Sequence, residues 1–287
     1  MALMFRRMMV AGVGIIGGSL ALAARRYGLV KEVYGYGRGE KNLRTALRRG
    51  LIDGYFMHES EIPDGVDHLV LATPVQSIVS LAKAFVPRLK PGCLISDVGS
   101  VKGGLVREVE RVLPQDITFV GAHPIAGGEQ WGAQAAVPDL FKGHRCILTP
   151  TQTTDSKTLK KLSLFWRRLG ARVEIMDPQL HDHVLALVSH LPHVVAYALV
   201  NTLGRAEIDG VDLKQYCGGG FKDITRIASS RPEIWRDICL VNRRAISKFL
   251  RDYIKCLGQL NGWIRDGKGS LLEREFARAN ELRRGMS

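Results

Sequence analysis

The 287-residue sequence has little that would identify a disulfide-linked, metal-binding or membrane protein. Its cysteines number five, an odd count, and no CxxC pair occurs, which excludes a disulfide framework and a cysteine-based zinc site. There is no HExxH motif, and we expect no metal. No run reaches the roughly 20 apolar residues that cross a membrane. We therefore expect a cytoplasmic protein with reduced thiols and no membrane partner.

Composition indicates a folded chain with an anionic partner. Hydrophobic residues make up 46% and charged residues 24%, enough for a core in one large or two ordinary domains. Lys plus Arg exceeds Asp plus Glu by 41 − 28 = 13. No nucleic-acid motif or interleaved basic and aromatic stripe is present, so we expect no nucleic-acid partner. A non-catalytic nucleic-acid-binding protein stays an alternative that rests on charge alone.

The order of predicted elements indicates two domains. Up to residue 177, short apolar runs alternate with helical segments, which is typical of a mostly parallel sheet covered on both faces. Beyond it, residues 178–203, 231–260 and 268–284 are helical, without a convincing strand. The sequence predicts an α/β Rossmann-like domain over 1–177 and an all-α domain over 178–287.

A dinucleotide-binding fingerprint follows the first predicted strand. Gly12, Gly14 and Gly17 form GxGxxG around Ile15 and Ile16, with a helix after them and a second strand by residue 31. The first glycine permits a tight turn, the second lets a pyrophosphate approach the backbone, and the third lets helix pack on strand. A merely glycine-rich turn is the alternative.

The end of the second predicted strand bears on which dinucleotide binds. An NAD site usually has an acidic residue about 20 positions after the fingerprint, where this sequence has Gly37 and Arg38. A missing carboxylate beside an arginine suits a 2′-phosphate, with Lys41 and Arg44 as helpers. The sequence thus favours NADP over NAD; in the alternative, Arg38 stacks on adenine and both cofactors bind.

Polar residues follow three predicted strands at the edge where ligands of open parallel sheets bind. Thr73 and Pro74 follow one strand, Ser100 follows the next, and His123 follows the fifth within a glycine-rich stretch. Ser100 is placed at the reactive end of the cofactor, and His123 can accept a proton near neutral pH. Alternatively, Thr73 and Ser100 are helix caps and His123 is a structural histidine.

The helical half contributes two further candidates. Four histidines crowd its first helix, and one or two of them are expected to line the cleft between the domains, with the others packed or solvated. Three consecutive glycines (218–220) break the helical pattern, which suggests backbone close to a ligand or another chain. Arg226 follows them as a fork of donors suited to a carboxylate, with a structural ion pair as the alternative.

These stretches together resemble the prephenate/arogenate dehydrogenase family of tyrosine biosynthesis. The similarity appears in the family's order and covers nearly the whole chain. The matching stretches are GVGIIGGSLA (12–21), DVGSVKG (97–103), GAHPIAGGE (121–129), HDHVLALVSHLPHVVA (181–196) and GGGFKDITRIASSRPEIWRDI (218–238). The resemblance implies a 6-phosphogluconate-dehydrogenase-like architecture and a homodimer formed through the helical domain.

The resemblance also implies a reaction and residue roles. Prephenate, a dianion, passes a hydride from its ring C4 carbinol to the nicotinamide and loses CO₂, giving 4-hydroxyphenylpyruvate. His123 would take the hydroxyl proton, and Ser100 would bond the same hydroxyl and the nicotinamide side. Arg226 would grip a substrate carboxylate, and His190 would lie in the substrate pocket.

Departures from the family pattern leave the substrate open. Gly128, followed by Glu129, stands where a threonine or serine is common, at predicted contacts with the substrate side chain. Arogenate dehydrogenase and dual-specificity cyclohexadienyl dehydrogenase are therefore alternatives. Another two-domain NAD(P)-dependent reductase is a more distant one, which the HPIAG and SHLPH stretches disfavour.

Overall fold

The computed structural model describes residues 2–128 and 130–286 of the chain. The first part is built on eight strands, most of them short apolar runs. They are β1 (Phe5–Ala11), β2 (Val30–Tyr36), β3 (Gly54–Phe56), β4 (His68–Leu71), β5 (Leu94–Asp97), β6 (Thr118–Pro124), β7 (Arg145–Thr149) and β8 (Arg172–Ile175). Every residue of β4 and β5 is buried, as expected for strands covered on both faces.

The strands form one sheet in the order β3-β2-β1-β4-β5-β6-β7-β8. All neighbours are parallel except β6 and β7, which confirms a mostly parallel Rossmann-like sheet. The order reverses between β1 and β4, so their carboxyl ends flank the crevice in which such sheets bind ligands. The sequence pattern did not predict β3, a three-residue strand with no fully buried residue.

Five helices cover the sheet and six follow it. The first five are α1 (Ile15–Arg26), α2 (Glu40–Arg48), α3 (Ile78–Phe85), α4 (Gly103–Val112) and α5 (Ser156–Arg168). The others are α6 (Pro178–Leu185), α7 (Leu191–Arg205), α8 (Gly219–Thr225), α9 (Pro232–Val241), α10 (Arg243–Arg265) and α11 (Gly269–Arg284). The long helices predicted over 178–203 and 231–260 are each divided.

A helix cap fixes the start of α6. The side chain of Asp177 accepts hydrogen bonds from the backbone N–H groups of Gln179 and Leu180, and Pro178 occupies the first helical position. His181 and Asp182 consequently lie in the first turns of α6, and both are buried. Between α6 and α7, residues Ala186–His190 form a π-helical turn, a feature often found at functional sites.

The triple glycine stands at the end of the predicted break in the helical region, between the end of α7 at Arg205 and the start of α8. Gly218 caps the start of α8, and Gly219 and Gly220 form its first turn. None of the three has a positive φ, and no atom lies within 4 Å of a side chain added at any of them. The glycines therefore open a short helix at an uncrowded surface.

The chain forms two compact units, one ending at Asn242 and the other starting at Arg243. The first contains the sheet and all helices up to α9. The second consists of α10 and α11, which contact each other across a turn in which Gly267 has a φ of 63°. The predicted domain division after residue 177 stays a prediction.

Contrary to the sequence expectation, one helical segment has the length and hydropathy of a membrane span. Pro178–Arg205, interrupted only by its π-helical turn, is 28 residues long, and its most apolar window of 18 residues has a mean hydropathy of 1.6. A single such helix is weak evidence of membrane insertion, because core helices have the same composition. In this segment His181, Asp182 and His190 are buried inside the first unit.

Candidate active site

The glycine-rich turn lies between the ends of β1 and β4. Gly12 has a φ of 96°, and a Cβ there would lie 2.4 Å from the carbonyl oxygen of Ala72. A Cβ on Gly17 would lie 2.2 Å from the carbonyl oxygen of Gly12. Both positions therefore require glycine for backbone packing. Gly14 instead faces open space, since a Cβ on this residue would have no atom within 4 Å.

This open space fits a dinucleotide pyrophosphate. Gly14 caps α1, whose first turn contains no acidic side chain, so Ile15, Ile16 and Gly17 present helix N-terminal N–H groups beside Gly14. Thr73, partly exposed at the end of β4, adjoins this turn, because its backbone nitrogen lies 3.0 Å from a Cβ built on Gly12. The exposed Pro74 follows it. The fingerprint and the β4 end thus form one surface.

The end of β2 carries the residues predicted to select the cofactor. Gly37 is partly buried, with Leu43 at ordinary contact distance, and Arg38 is exposed. Arg44 pairs with Glu40 at 2.8 Å between its Nη2 and Oε1. Both side chains are exposed, so the pair is weak and Arg44 can turn towards an anion. The structure therefore keeps three cations, including Lys41, near the end of this strand.

A buried ion pair organises the loop that contains Ser100. The Lys102 Nζ lies 2.6 Å from Asp97 Oδ2 and donates a second hydrogen bond of 2.6 Å to the carbonyl of Gly99. The Oδ1 of Asp97 accepts a hydrogen bond from the backbone N–H of Ala122, next to His123. The pair thus joins the end of β5 to the end of β6. Ser100 itself is partly exposed.

His123 begins a chain of buried side chains. Its Nδ1 lies 2.8 Å from Nε2 of His181, whose Nδ1 lies 2.9 Å from Oδ1 of Asp182. Asp182 also accepts hydrogen bonds of 2.7 Å from the backbone N–H groups of Lys102 and Gly103 at the start of α4. The chain therefore joins β6, α6 and α4.

The same environment keeps the histidine rings neutral. Burial, with smaller contributions from His181 and Lys102, holds the pKa of His123 well below its ordinary value. Burial also lowers the pKa of His181, although its hydrogen bond to Asp182 opposes the shift. A neutral His123 has one nitrogen lone pair available at neutral pH.

His190 lies behind Ser100. Its ring is fully buried, and its Nδ1 lies 3.2 Å from Nδ2 of Asn242, which also donates to the carbonyl of Asp182. Burial lowers the pKa of His190 to about 4, partly offset by Asp182 and by the backbone of Ser100. The structure therefore brings His190 to the serine loop, as a buried ring.

The neighbouring His193, another of the four histidines in this helical segment, has a different environment. Its ring is half-buried and stacks on Trp235 at 3.5 Å between centroids. The charge of Arg226 contributes to lowering its pKa, after burial, so these two side chains are near each other. Arg226 itself is exposed just after α8.

The loop after β6 reaches the glycine-rich turn. A Cβ on Gly128 would lie 3.2 Å from Cδ1 of Ile15, so a predicted substrate residue adjoins a predicted cofactor residue. Asn42 binds the segment that follows: its side chain donates to the carbonyl of Val13 and accepts from the N–H of Ala133. The predicted contact at Glu129 lies outside the described residues.

The sequence assigned no role to four residues of this site, Asp97, Lys102, His181 and Asp182, although His181 is one of the four histidines of which one or two were expected to line the cleft. The only local signal was their occurrence within the matching stretches, since no spacing rule links residues 123 and 181. Within residues 2–128 and 130–286, no group of three or more His, Cys, Asp or Glu side chains could hold a metal ion.

Two family models match the chain. The one described as prephenate dehydrogenase, nucleotide-binding domain, matches residues 20–175. The one described as prephenate dehydrogenase, dimerization domain, matches residues 177–278.

Individual relatives agree with these matches. Prephenate dehydrogenase of Bacillus subtilis is 35% identical over 97% of this chain and 75% of its own length. Cyclohexadienyl dehydrogenase of Zymomonas mobilis is 34% identical over 97% of this chain and 95% of its own. The crystal structure of prephenate dehydrogenase from Aquifex aeolicus, in complex with hydroxyphenyl propionate and NAD⁺, is 38% identical with a TM-score of 0.93, covering 98% of both chains.

Proposed function

The chain belongs to the prephenate dehydrogenase family, and we propose that it converts prephenate to 4-hydroxyphenylpyruvate and CO₂ in tyrosine biosynthesis. It is an NAD(P)-dependent dehydrogenase. The main observation that supports the proposed reaction is the neutral, buried His123. It lies at the carboxyl end of β6, on the same edge of the sheet as the glycine-rich turn.

The chain's own residues bind the cofactor and move one proton. Gly12, Gly14 and Gly17 with the start of α1 would hold the pyrophosphate, and Thr73 and Pro74, which adjoin this turn, would contact the cofactor beside it. The bound dinucleotide supplies the hydride acceptor for ring C4. As that hydride leaves, the C4 carbinol becomes ketone-like, and His123 takes the hydroxyl proton. A positioned base of this kind typically contributes about 10²–10⁴-fold.

Substrate contacts complete the proposed site. Ser100 would donate to or accept from the C4 hydroxyl beside the nicotinamide. Arg226 would bind one substrate carboxylate through paired N–H groups, which is the strong form of such a contact. We further propose that His190, Gly128 and Glu129 line the pocket, with His190 supporting the Ser100 loop from behind. CO₂ loss needs no separate cofactor because aromatisation of the ring drives it. The electron pair of the broken C–C bond passes through the ring to the C4 oxygen, which takes the proton back from His123 and becomes the phenol of the product.

Steady-state kinetics test this function. We expect prephenate-dependent reduction of NADP⁺ or NAD⁺ with CO₂ release, and a loss of about 10²–10⁴-fold in kcat for His123→Asn with unchanged circular dichroism. The exposed His144, changed to Asn, is a matched control that should retain wild-type kcat. Wild-type turnover in His123→Asn would contradict the role of this histidine.

Arogenate is the second candidate substrate, because a cyclohexadienyl dehydrogenase is among the relatives. The two substrates differ in the side chain, which the Gly128–Glu129 segment is proposed to meet. Kinetics with prephenate and arogenate, each against NAD⁺ and NADP⁺, rank the four combinations. We expect prephenate to give the higher kcat/KM; a clear excess for arogenate would overturn the assignment.

We propose NADP as the preferred cofactor on the basis of Gly37, Arg38 and Lys41. Gly37→Asp would place a carboxylate at the end of β2, where an NAD site usually has one, and the atom nearest to its Cβ would be Cδ2 of Leu43 at 3.6 Å, an ordinary contact. We therefore expect Gly37→Asp to fold and to shift the kcat/KM ratio towards NAD⁺. Arg38→Ala should raise KM for NADP⁺ only. If neither variant changes the ratio, the NADP assignment is wrong.

We also propose a two-domain cytoplasmic homodimer, with division after residue 177, that uses neither nucleic acid nor a membrane. Its support is the matched dimerization domain and large exposed apolar side chains on α10 and α11, such as Ile264, Phe276 and Leu282. Light scattering should give twice the chain mass. Duplex binding that persists at about 200 mM salt would contradict the absence of a nucleic-acid partner.

A further inference from the structure

We propose that Asp182, acting through His181, fixes the tautomer of His123 so that its Nε2 carries the lone pair that receives the substrate proton. This inference rests on the proposed function, in which His123 is the base. Asp182 and His181 are positioning residues, because each acts through the next ring.

Asp182 has a carboxylate that is surrounded by donors. The backbone N–H groups of Lys102 and Gly103 donate to its Oδ1 and Oδ2 at 2.7 Å each, and both belong to the N-terminus of α4. A helix N-terminus favours a negative charge at this point. Two backbone N–H groups fix the orientation of this carboxylate. The lone pair of Oδ1 that remains free to accept a hydrogen bond therefore faces His181.

The contact with Asp182 fixes the proton of His181. The Nδ1 of His181 lies 2.9 Å from Oδ1 of Asp182, and a carboxylate can only accept. The Nδ1 of His181 therefore carries hydrogen. Since burial lowers the pKa of this ring, it is neutral and has only one N–H group. Its Nε2 is consequently a lone-pair acceptor.

His181 in turn fixes the proton of His123. The two ring nitrogens, Nδ1 of His123 and Nε2 of His181, lie 2.8 Å apart, so one must donate and the other accept. Because His181 accepts, His123 donates through Nδ1. The neutral His123 then has its lone pair on Nε2, which makes no hydrogen bond to any residue in 2–128 or 130–286.

The opposite tautomer of His123 would bring a nitrogen lone pair of His181 against the Asp182 carboxylate. With hydrogen on Nε2 of His123, its Nδ1 would accept from His181, and the lone pair of His181 Nδ1 would face the Asp182 carboxylate at 2.9 Å. That arrangement is repulsive in a buried site, where unpaired polar groups are costly. When His123 takes the substrate proton on Nε2, its ring becomes positively charged. The Asp182 carboxylate, linked to this ring through His181 by two hydrogen bonds, then stabilises that charge.

The tautomer can be read without turnover. In protein labelled with ¹⁵N in its histidines and saturated with NADP⁺, long-range proton–nitrogen spectra distinguish protonated from bare ring nitrogens. The His123 signals are assigned by their absence in His123→Asn. We expect a protonated Nδ1 and a bare Nε2 at pH 7.5. A proton on Nε2 of wild-type His123 would overturn the proposal, whatever the variants do.

Two variants test the chain by kinetics. In Asp182→Asn, the amide NH₂ can donate to Nδ1 of His181, which reverses both tautomers; we expect kcat to fall by about 10²–10⁴-fold, the range of general-base catalysis, with KM for prephenate within about threefold. His181→Phe keeps a ring but removes the acceptor, so we expect about a tenfold fall in kcat. Asp237→Asn, a matched control at another buried aspartate, should retain wild-type kcat.

The outcomes separate this proposal from the proposed function. A wild type without prephenate-dependent turnover would refute the function and leave the spectral test of the tautomer intact. If the wild type is active and Asp182→Asn folds and retains kcat, the proposal that Asp182 fixes the tautomer of His123 is refuted, and the proposed function is not. If Asp182→Asn does not fold, His181→Phe and the wild-type spectrum decide.

Discussion

The buried ion pair between Asp97 and Lys102 gives the strongest stability prediction for this fold. Both side chains are completely buried, and the Lys102 Nζ lies 2.6 Å from Asp97 Oδ2. Lys102→Met fills nearly the same volume but leaves the carboxylate without its cation. Removing one partner of a buried pair costs about 3–5 kcal/mol, because an uncompensated charge stays in a medium of low polarity.

The structure places the expected loss near the lower end of that range. The Asp97 carboxylate keeps two other donors, the backbone N–H groups of Gly99 at 2.8 Å and Ala122 at 3.1 Å. We therefore expect Lys102→Met to lower the free energy of unfolding by about 3 kcal/mol. It should also lower kcat, since Lys102 holds the carbonyl of Gly99 beside Ser100.

Urea unfolding of Lys102→Met, Asp97→Asn and the double variant, at constant protein concentration, measures the interaction. Because both single changes remove the same contact, the double variant should lose less than their sum by about 1–3 kcal/mol. Arg145→Met, which breaks an exposed pair with Glu174, is the control and should cost less than about 1 kcal/mol. Additive losses, or a Lys102→Met loss below about 1 kcal/mol, would refute the reasoning.

Three further predictions follow from the same geometry. Gly12→Ala should lower the melting temperature, because its Cβ would lie 2.4 Å from a carbonyl oxygen, whereas Gly14→Ala should melt normally and bind NADP⁺ at least tenfold more weakly by calorimetry; equal melting of the two variants would contradict this distinction. Acid should destabilise the protein: burial lowers the pKa of several histidines in the fold, so the unfolded chain binds more protons below about pH 6.5 and each such group removes up to about 1.4 kcal/mol per pH unit. The groups concerned are His68 with a pKa of about 3, His190 with a pKa of about 4, His123, His181 and His193. A free energy of unfolding that stays constant from pH 7 to pH 5 would exclude these shifts. Arg226→Lys should raise KM for prephenate about tenfold with kcat nearly unchanged, since a single ammonium cannot replace paired N–H groups; a lower kcat at constant KM would place Arg226 in the chemical step instead.

Much of the fold could be predicted because its signals are local. Buried parallel strands require apolar runs, so the sequences HLVL and LISD predicted β4 and β5. The glycines of the fingerprint were recognisable because they directly follow a predicted strand. The short β3 escaped because it has no buried residue to mark it. The glycines at 218–220 lie at the end of the predicted break, where they open α8, since glycine permits a helix start as well as a break.

The candidate site was predictable as a set of strand ends but not as a network. By itself the sequence determined that Ser100 and His123 lie at one edge of a parallel sheet, because the carboxyl ends of parallel strands share an edge. Only the tertiary structure decided that His181 and Asp182, 58 and 59 positions away, meet His123 and α4, and that Lys102 is buried against Asp97. These contacts depend on how α6 packs against α4 and β6. The hydrophobic periodicity of one segment shows which of its faces is buried, but not which side chains from distant parts of the sequence pack against that face.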